Sequence, residues 1–470
     1  MQNPAKERAS DEALPDEMAE ALERLCAARG IPGAVVGLVD GDGAVTVATA
    51  GTANLGTGLP VVRDTLFQAG SIGKSYTATA VMQLVDDGLV DIDLPLRTYL
   101  PELTFADPAV SQSLTSRQIL THVAGVDGDR LDDDFACGRG DDCVERYVSA
   151  LADLPLIAPP GRLWSYCNSG YIVLGRLVEV VTGLTFEQAL TTRLLEPLGV
   201  TNTLFFPGDM VTHSLAVGHL RQGDGPAAVA PQWEMSRAAG AAGSTINTTI
   251  DDLLAFASMH LRGGLAADGT RVLSAASTAA MQQPLVECPE PELLGDRWGL
   301  GWFVRTRSGP IVIGHDGNTH GETAMLRLVP ERGAAWALLT NLAGQNWAAM
   351  ELAQELFDPL LGTVTPGRPQ ARSDPAANVE RLVGVYESIG SRLTVGVDGP
   401  DLVVDLQQIG APEGTPSMSG RLLPADGDER FVMRIEALGD DLPFTFLEPG
   451  DDGAYGYVHM GARLHRRVPS

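Results

Sequence analysis

The chain has 470 residues, 44% of them hydrophobic and 20% charged, with a formal net charge of −27. Such a length and apolar content predict two or three folded domains and exclude a disordered chain. The acidic balance argues against nucleic acid or an anionic membrane as a partner. The opening segment MQNPAKERASDEALPDEM lacks the apolar core of a secretory signal, and no run of about 18 apolar residues follows. The expectation is a cytoplasmic protein with no membrane span. Five cysteines (Cys26, Cys137, Cys143, Cys167 and Cys288) fit a reduced compartment, although Cys137 and Cys143 are spaced to close a small loop.

In chain order, residues 16–29 read as a helix stopped by Gly30. AVVGLVD and AVTVATAG flank Gly41-Asp42-Gly43 and read as a hairpin. A helix follows over about 71–87, with Tyr76, Ala80, Val81, Leu84 and Val85 on one apolar face. Residues 90–290 read as mostly helical. SGYIVLGRLVEVVTG stops at Gly183, and TIDDLLAFASMHLRGG opens with a Thr249/Asp252 capping-box pattern. From 297 the pattern returns to strands (WGLGWFVRT, PIVIGH, ETAMLRLVP and AAWALLTN), and a helix over about 344–360 closes the unit. The expected fold class is α+β: an antiparallel sheet flanked by helices, with an all-helical subdomain inserted between its strands. A Gly- and Pro-rich linker spans 362–378, after a first domain over 1–361. About eight short strand-like runs then predict a small all-β barrel over 379–470.

Lysine usage narrows the chemistry. The chain holds only two lysines, Lys6 and Lys74, against 31 arginines. Lys6 sits in the polar leader, so Lys74 is the one lysine of the folded body. Arginine keeps its proton in proteins, whereas a desolvated lysine can release one and act as a base. Lys74 closes Ser71-Ile72-Gly73-Lys74 at a predicted helix start. Positions i and i+3 share a helix face, so the hydroxyl and the amine can meet. Serine needs an adjacent base to become nucleophilic, and a helix N-terminus offers N–H groups to an oxyanion. The run from Gln68 to Ser75 also imitates a phosphate-binding loop, but Gln68 stands where that motif needs glycine.

Tyr166-Cys167-Asn168 is the chain's only Tyr-x-Asn. A phenol beside an ammonium can relay a proton, and an amide can hold a substrate carbonyl. His315-Asp316-Gly317 ends the strand PIVIGH, where a histidine can face a cleft and Gly317 permits close backbone approach to a ligand. His459-Met460-Gly461 repeats the His-x-Gly pattern, but outside the first domain. His122 reads as structural. No histidine or cysteine spacing suits a metal, and no cofactor is expected.

Taken together, Ser-x-x-Lys, Tyr-x-Asn and His-x-Gly in this order resemble the serine β-lactamase and penicillin-binding protein superfamily, in its class C-like branch. The segments GIPGAVVGLV, ILTHVAGV, PPGRLWSYCNSGYIVLGRLVE, LLEPLGVTNT and GHDGNTHGETAMLRLVPERG look like the family's. The match covers about 30–360, and the segment from LVGVYE resembles the lipocalin-like domain of some members. The resemblance implies Ser71 as nucleophile, with Lys74 and Tyr166 sharing proton transfer in an order the motif leaves open. It implies that Asn168 orients substrate and that His315 replaces a lysine supporting charge. The N–H groups of Ser71 and Asn318 would form the oxyanion hole. Cys167 and Asp316 depart from the pattern. The first leaves a thiol near the site, and the second puts a carboxylate beside His315 that would keep it protonated and disfavour anionic substrates.

The expected function is acyl transfer from an ester, thioester or amide to Ser71 and then to water or an amine, on a small-molecule or peptide substrate. Without a leader, an esterase, a peptidase of D-residue peptides or a transacylase is expected ahead of a wall-acting enzyme. A stand-alone cyclase of nonribosomal peptides is a narrower form of the same chemistry. A non-catalytic acyl sensor would have no need of a lysine base. An α/β-hydrolase lacks its Gly-x-Ser-x-Gly, since Ala69 stands at the first glycine. The loop over 127–143 carries seven aspartates and reads as a solvated loop or as a lid favouring cationic substrates.

Overall fold

The computed structural model describes residues 14–128, 137–221, 223, 225–372, 378–399, 401–409, 417–435, 440–451 and 453–468. The stretch over 129–136, which carries four of the seven aspartates of the expected loop or lid, lies outside the described residues.

Helix α1 (Leu14–Arg29) ends at Gly30, which takes a left-handed φ of 58°. Strands β1 (Gly33–Val39) and β2 (Val45–Asn54) form the expected hairpin, with Val39 paired to Val45. They join β3 (Leu59–Pro60), β4 (Val286–Glu287), β5 (Arg297–Trp298), β6 (Phe303–Arg305), β7 (Val312–Asn318), β8 (Thr323–Val329) and β9 (Ala334–Thr340) in one antiparallel sheet. Its order is β3-β2-β1-β9-β8-β7-β6-β5-β4. The first and last segments of the catalytic unit therefore meet at β1 and β9, pairing Ala34 with Thr340. Every residue of β1, β8 and β9 is buried, because helices cover both faces. On one side lie α1 and α5 (Asn346–Leu361). On the other lies α4 (Ile250–Leu261), whose Ile250 and Leu254 rest where a side chain at Gly37 would clash.

Helix α2 (Gly73–Asp86) runs between the sheet and the helical region and contacts α3 (Asn168–Thr182). Sequence periodicity predicts one buried face for α2, but twelve of its residues are buried, all round the helix. Its small hydroxyls make this possible. Ser75 Oγ bonds Ile72 O at 2.6 Å, Thr77 Oγ1 bonds Ala241 O at 2.7 Å, and Thr79 Oγ1 bonds Ser75 O at 2.7 Å, so none is left unpaired in the core. Helix α4 is capped by Thr249, which accepts the Asp252 N–H. The Asp252 carboxylate does not close a capping box. It turns instead to Asn202 N and Thr203 Oγ1. The region 90–290 is less helical than expected, with several short helices and two-stranded ribbons between irregular segments. Among the described residues, no single helix is long and apolar enough to cross a membrane.

The expected barrel is present and closed. Its strands are β10 (Gly384–Glu387), β11 (Ser391–Asp398), β12 (Asp401–Gln408), β13 (Met418–Pro424), β14 (Arg430–Ile435), β15 (Asp440–Pro449), β16 (Tyr455–Met460) and β17 (Arg463–Val468). Pairing of Val385 with Val468 seals it. Alternation sends Leu402, Val404 and Leu406 inward, as a half-buried barrel strand requires. The first part of the linker is tied to α5: Thr363 and Thr365 bond Asp358, and Arg368 lies over Trp347, while 373–377 lie outside the described residues.

Candidate active site

Ser71 sits in a single 3-10 turn, Gly70–Ile72, that leads directly into α2. Lys74, one turn on, is fully buried, and its Nζ donates to Ser71 Oγ at 3.1 Å and to Ala242 O at 2.7 Å. The Ser71 hydroxyl and the Lys74 amine are therefore in contact, as the sequence spacing predicts. Tyr166 precedes α3, and its ring centroid lies 4.8 Å from Lys74 Nζ. Its hydroxyl is 3.5 Å from His315 Nε2. Asn168 is the first residue of α3, half-buried, two positions beyond Tyr166.

The two glycines flanking this arrangement are steric requirements. A Cβ on Gly317 would stand 2.0 Å from Ala69 O, and one on Gly70 would stand 2.9 Å from Asn318 N. Gly70 also holds a φ of 53°. The close approach that Gly317 permits is thus to the Ser71 turn, not to a ligand as the sequence reading expects. It brings the backbone of Asn318 beside that of Ser71, the pair expected to form the oxyanion hole.

His315 and Asp316 point to opposite faces of β7, as successive strand residues must. Asp316 faces away from Tyr166. Its carboxylate accepts from Arg327, itself buried, and from Asn346 Nδ2 at 3.1 Å. The expected contact of Asp316 with substrate, and its hold on the charge of His315, are therefore corrected. Burial first, and the neighbouring Lys74 second, push the His315 imidazole down to about 3, so it is neutral at neutral pH. Its Nδ1 lies 2.7 Å from the Asp316 carbonyl, which assigns the hydrogen to Nδ1 and leaves an Nε2 lone pair towards the Tyr166 hydroxyl. His315 is an acceptor for that phenol and not a substitute positive charge.

Cys167, expected as a thiol near the site, is turned inward. Its Sγ accepts the Gly170 N–H at 3.3 Å and caps α3. No disulfide joins the described cysteines, Cys137 and Cys143 included. His122 is structural, as expected, yet closely tied to the site. Its ring stacks on Tyr166 at 4.3 Å, and its Nδ1 accepts the Cys167 N–H at 3.1 Å. Burial holds it well below its ordinary value, so it too is neutral.

One residue near the centre is missing from the sequence reading. The barrel hairpin between β16 and β17 reaches the catalytic domain, where Ala462 O accepts the Tyr166 N–H at 2.9 Å. The Arg463 guanidinium carbon lies 4.6 Å from the Tyr166 ring centroid. This hairpin begins at the second His-x-Gly, which reads in sequence as outside the site.

Below the Ser71 turn, Glu322 Oε2 accepts the Gln68 N–H at 2.9 Å. Burial pushes this carboxyl up to about 8 from an ordinary 4.5. Folding then takes up a proton at Glu322 between those values, so this group's contribution to stability is fully present below about 4.5 and is lost as pH rises through 8. Glu322→Gln is expected to leave the melting temperature near the parent's at pH 4.5 and to raise it at pH 9. An equal difference at both values would contradict this origin of the shift.

With this geometry in view, the comparisons are decisive for the family. The family model described as Beta-lactamase matches residues 18–359. The chain belongs to the beta-lactamase family. It is 40% identical over 368 residues to penicillin-binding protein 4 of Amycolatopsis lactamdurans, covering 77% of this chain and 94% of that one. It is 27% identical to unguisins hydrolase ungD' of Aspergillus campestris, over 76% of this chain and 67% of that one. Among solved structures, SurE with D-Leu is similar at a TM-score of 0.77 and 29% identity, over 97% of this chain and all of that one. The chain is thus a member of the serine β-lactamase and penicillin-binding protein superfamily, whose members act by serine acyl transfer, and the SurE match extends through the barrel.

Proposed function

We propose that this protein forms an acyl-enzyme on Ser71 from an ester, thioester or amide of a peptide and passes the acyl group to water or an amine. The observation that carries this reading is the 3.1 Å contact between Lys74 Nζ and Ser71 Oγ inside a site where Lys74 is fully buried. Buried amines favour the neutral form, and a neutral amine at this distance can accept the serine proton. Tyr166 and Lys74 share the proton's path to the leaving group. The N–H groups of Ser71 and Asn318 receive the developing oxyanion, and Asn168 orients the acyl chain.

A D-residue in the substrate is supported by the similarity to SurE, which is solved with D-Leu, and hydrolysis is supported by the Aspergillus campestris relative named an unguisins hydrolase. Transfer to an amine, including closure of a peptide on its own amine, is a second outcome of the same intermediate. It is favoured by the contact of the barrel hairpin with Tyr166, whose N–H donates to Ala462 O at 2.9 Å.

The test is a panel of peptidyl thioesters ending in a D- or an L-residue, with intact-mass detection of the acyl-enzyme. A D-terminal thioester is expected to acylate Ser71 at least tenfold faster than its L-epimer. An added amine is expected to convert part of the acid product to amide. Equal acylation by both epimers would remove the D-residue reading, and unchanged acid yield with amine would leave a hydrolase.

A further inference from the structure

Proton transfer from Ser71 must pass through groups that are short of a proton. Among the described residues, several titratable or charged side chains face Tyr166. Lys74 comes from α2, His122 from the turn before Val123, Tyr171 from α3, His315 from β7 and Arg463 from the barrel. Burial keeps His122 and His315 neutral, and it keeps Tyr171 a phenol whose hydroxyl bonds Leu120 O at 3.0 Å. Among the described residues, Lys74 and Arg463 bring positive charge over the Tyr166 ring. Lys74 loses its charge whenever it holds no extra proton, whereas a guanidinium does not.

The geometry points to Arg463 as the fixed cation of this site, lent by the barrel, which eases proton loss from the coupled Tyr166–Lys74 pair, and to Glu290 as the residue that positions it. This rests on the reading of Tyr166 and Lys74 as the proton carriers. The hairpin tip is built for the approach. Gly461 and Ala462 both take left-handed φ values, 57° and 67°, which turn β16 tightly into β17. Glu290, almost wholly buried, grips both sides of that turn. Its Oε2 accepts the Ala462 N–H at 3.0 Å, and its Oε1 stands 3.0 Å from Nδ1 of the buried His459. Leu464 N–H donates to Ser165 Oγ at 3.1 Å, and Tyr166 N–H donates to Ala462 O. The backbone on either side of Arg463 is thus tied to the two residues that place the catalytic phenol. The Arg463 charge also adds, after burial, Lys74 and His315, to keeping His122 uncharged.

The experiment is the pH dependence of kcat/KM for p-nitrophenyl butyrate in the full chain and in Arg463→Gln, Arg463→Lys and Glu290→Gln, with melting temperatures beside it. A nearby cation favours the deprotonated pair, so its removal makes the pair hold its proton more tightly. The acidic limb is expected to move up by about one pH unit in Arg463→Gln. It should return most of the way in Arg463→Lys and shift by a smaller amount in the same direction in Glu290→Gln. A limb that stays in place in Arg463→Gln overturns the proposal, whatever happens to the plateau rate, because a packing role lowers rates without moving a titration. If Arg463→Gln does not fold, an unshifted limb in Glu290→Gln overturns it equally. Fluorophosphonate labelling of the parent separates the two readings. A parent without a Ser71 adduct defeats the acyl-enzyme reading. A labelled parent with unmoved limbs defeats only the role of Arg463.

Discussion

Exchanging Lys74 for arginine is expected to slow acylation of Ser71 about a thousandfold, although the positive charge stays in place. Lys74 has no exposed surface, and its Nζ donates to the Ser71 hydroxyl and to the Ala242 carbonyl. Charge alone would serve to orient the hydroxyl and to attract an oxyanion, and arginine supplies that. Taking the proton from Ser71 requires a nitrogen that can be neutral, and arginine does not supply that. Lys74→Met is the companion variant, because the larger guanidinium will strain a packed pocket beneath Tyr166 and Tyr171 by about 1–3 kcal/mol. Both variants are expected to fall together in a stopped-flow measurement of the p-nitrophenolate burst. An arginine variant within tenfold of the parent, with methionine far below, would show that Lys74 acts only through its charge.

Ser71→Ala is expected to have the largest effect, a loss on the order of 10⁶ in turnover. The loss is chemical and not structural. The Ser71 turn is held by backbone contacts around Gly70 and Gly317, and Lys74 keeps its bond to Ala242 O when the hydroxyl is gone. The melting temperature should therefore stay within about two degrees of the parent, since the substitution removes one partly exposed atom and opens no cavity. Steady-state hydrolysis of an activated ester at matched protein concentration is the measurement. Residual turnover within a hundredfold of the parent would place the nucleophile elsewhere.

Most of the central site was legible in the sequence because its parts are short and local. Ser71 and Lys74 meet through one helical turn, and Tyr166 and Asn168 sit at one helix start. The shortage of lysine identified Lys74 before any contact was known, since a body that uses arginine almost everywhere retains a lysine only where arginine cannot serve. The barrel was legible from the spacing of its strand-like runs. Asp316 shows where a rule went unused: strand alternation turns the neighbour of a cleft-facing His315 away from the cleft, towards Arg327. That single step also removes the reason to expect a charged His315. The apolar stripe on α2 was real but incomplete. Periodicity cannot show that Ser75, Thr77 and Thr79 are buried with their own hydrogen bonds.

Arg463 was illegible for a different reason. Its place depends on how two domains dock, and docking is carried by Glu290, His459 and backbone groups that leave no periodic or spaced pattern. Arg430 with Glu292 and Arg162 with Glu448 add to the same seam, and the Asp127 carboxylate takes the Ile389 N–H across it. The second His-x-Gly was visible in the sequence but meaningless there. It matters only because its glycine and the following alanine turn the chain back at Tyr166.

The central claim, that Ser71 is the acylated residue, is tested most directly by locating a covalent adduct. The parent, Ser71→Ala and Lys74→Arg are treated with a fluorophosphonate at neutral pH, and the labelled protein is weighed intact and then mapped by peptide. The account predicts one adduct per chain on the parent, carried by the peptide containing Ser71, no adduct on Ser71→Ala, and much slower labelling of Lys74→Arg. Labelling of Ser71→Ala as fast as the parent, or an adduct mapped to any other serine, would contradict it.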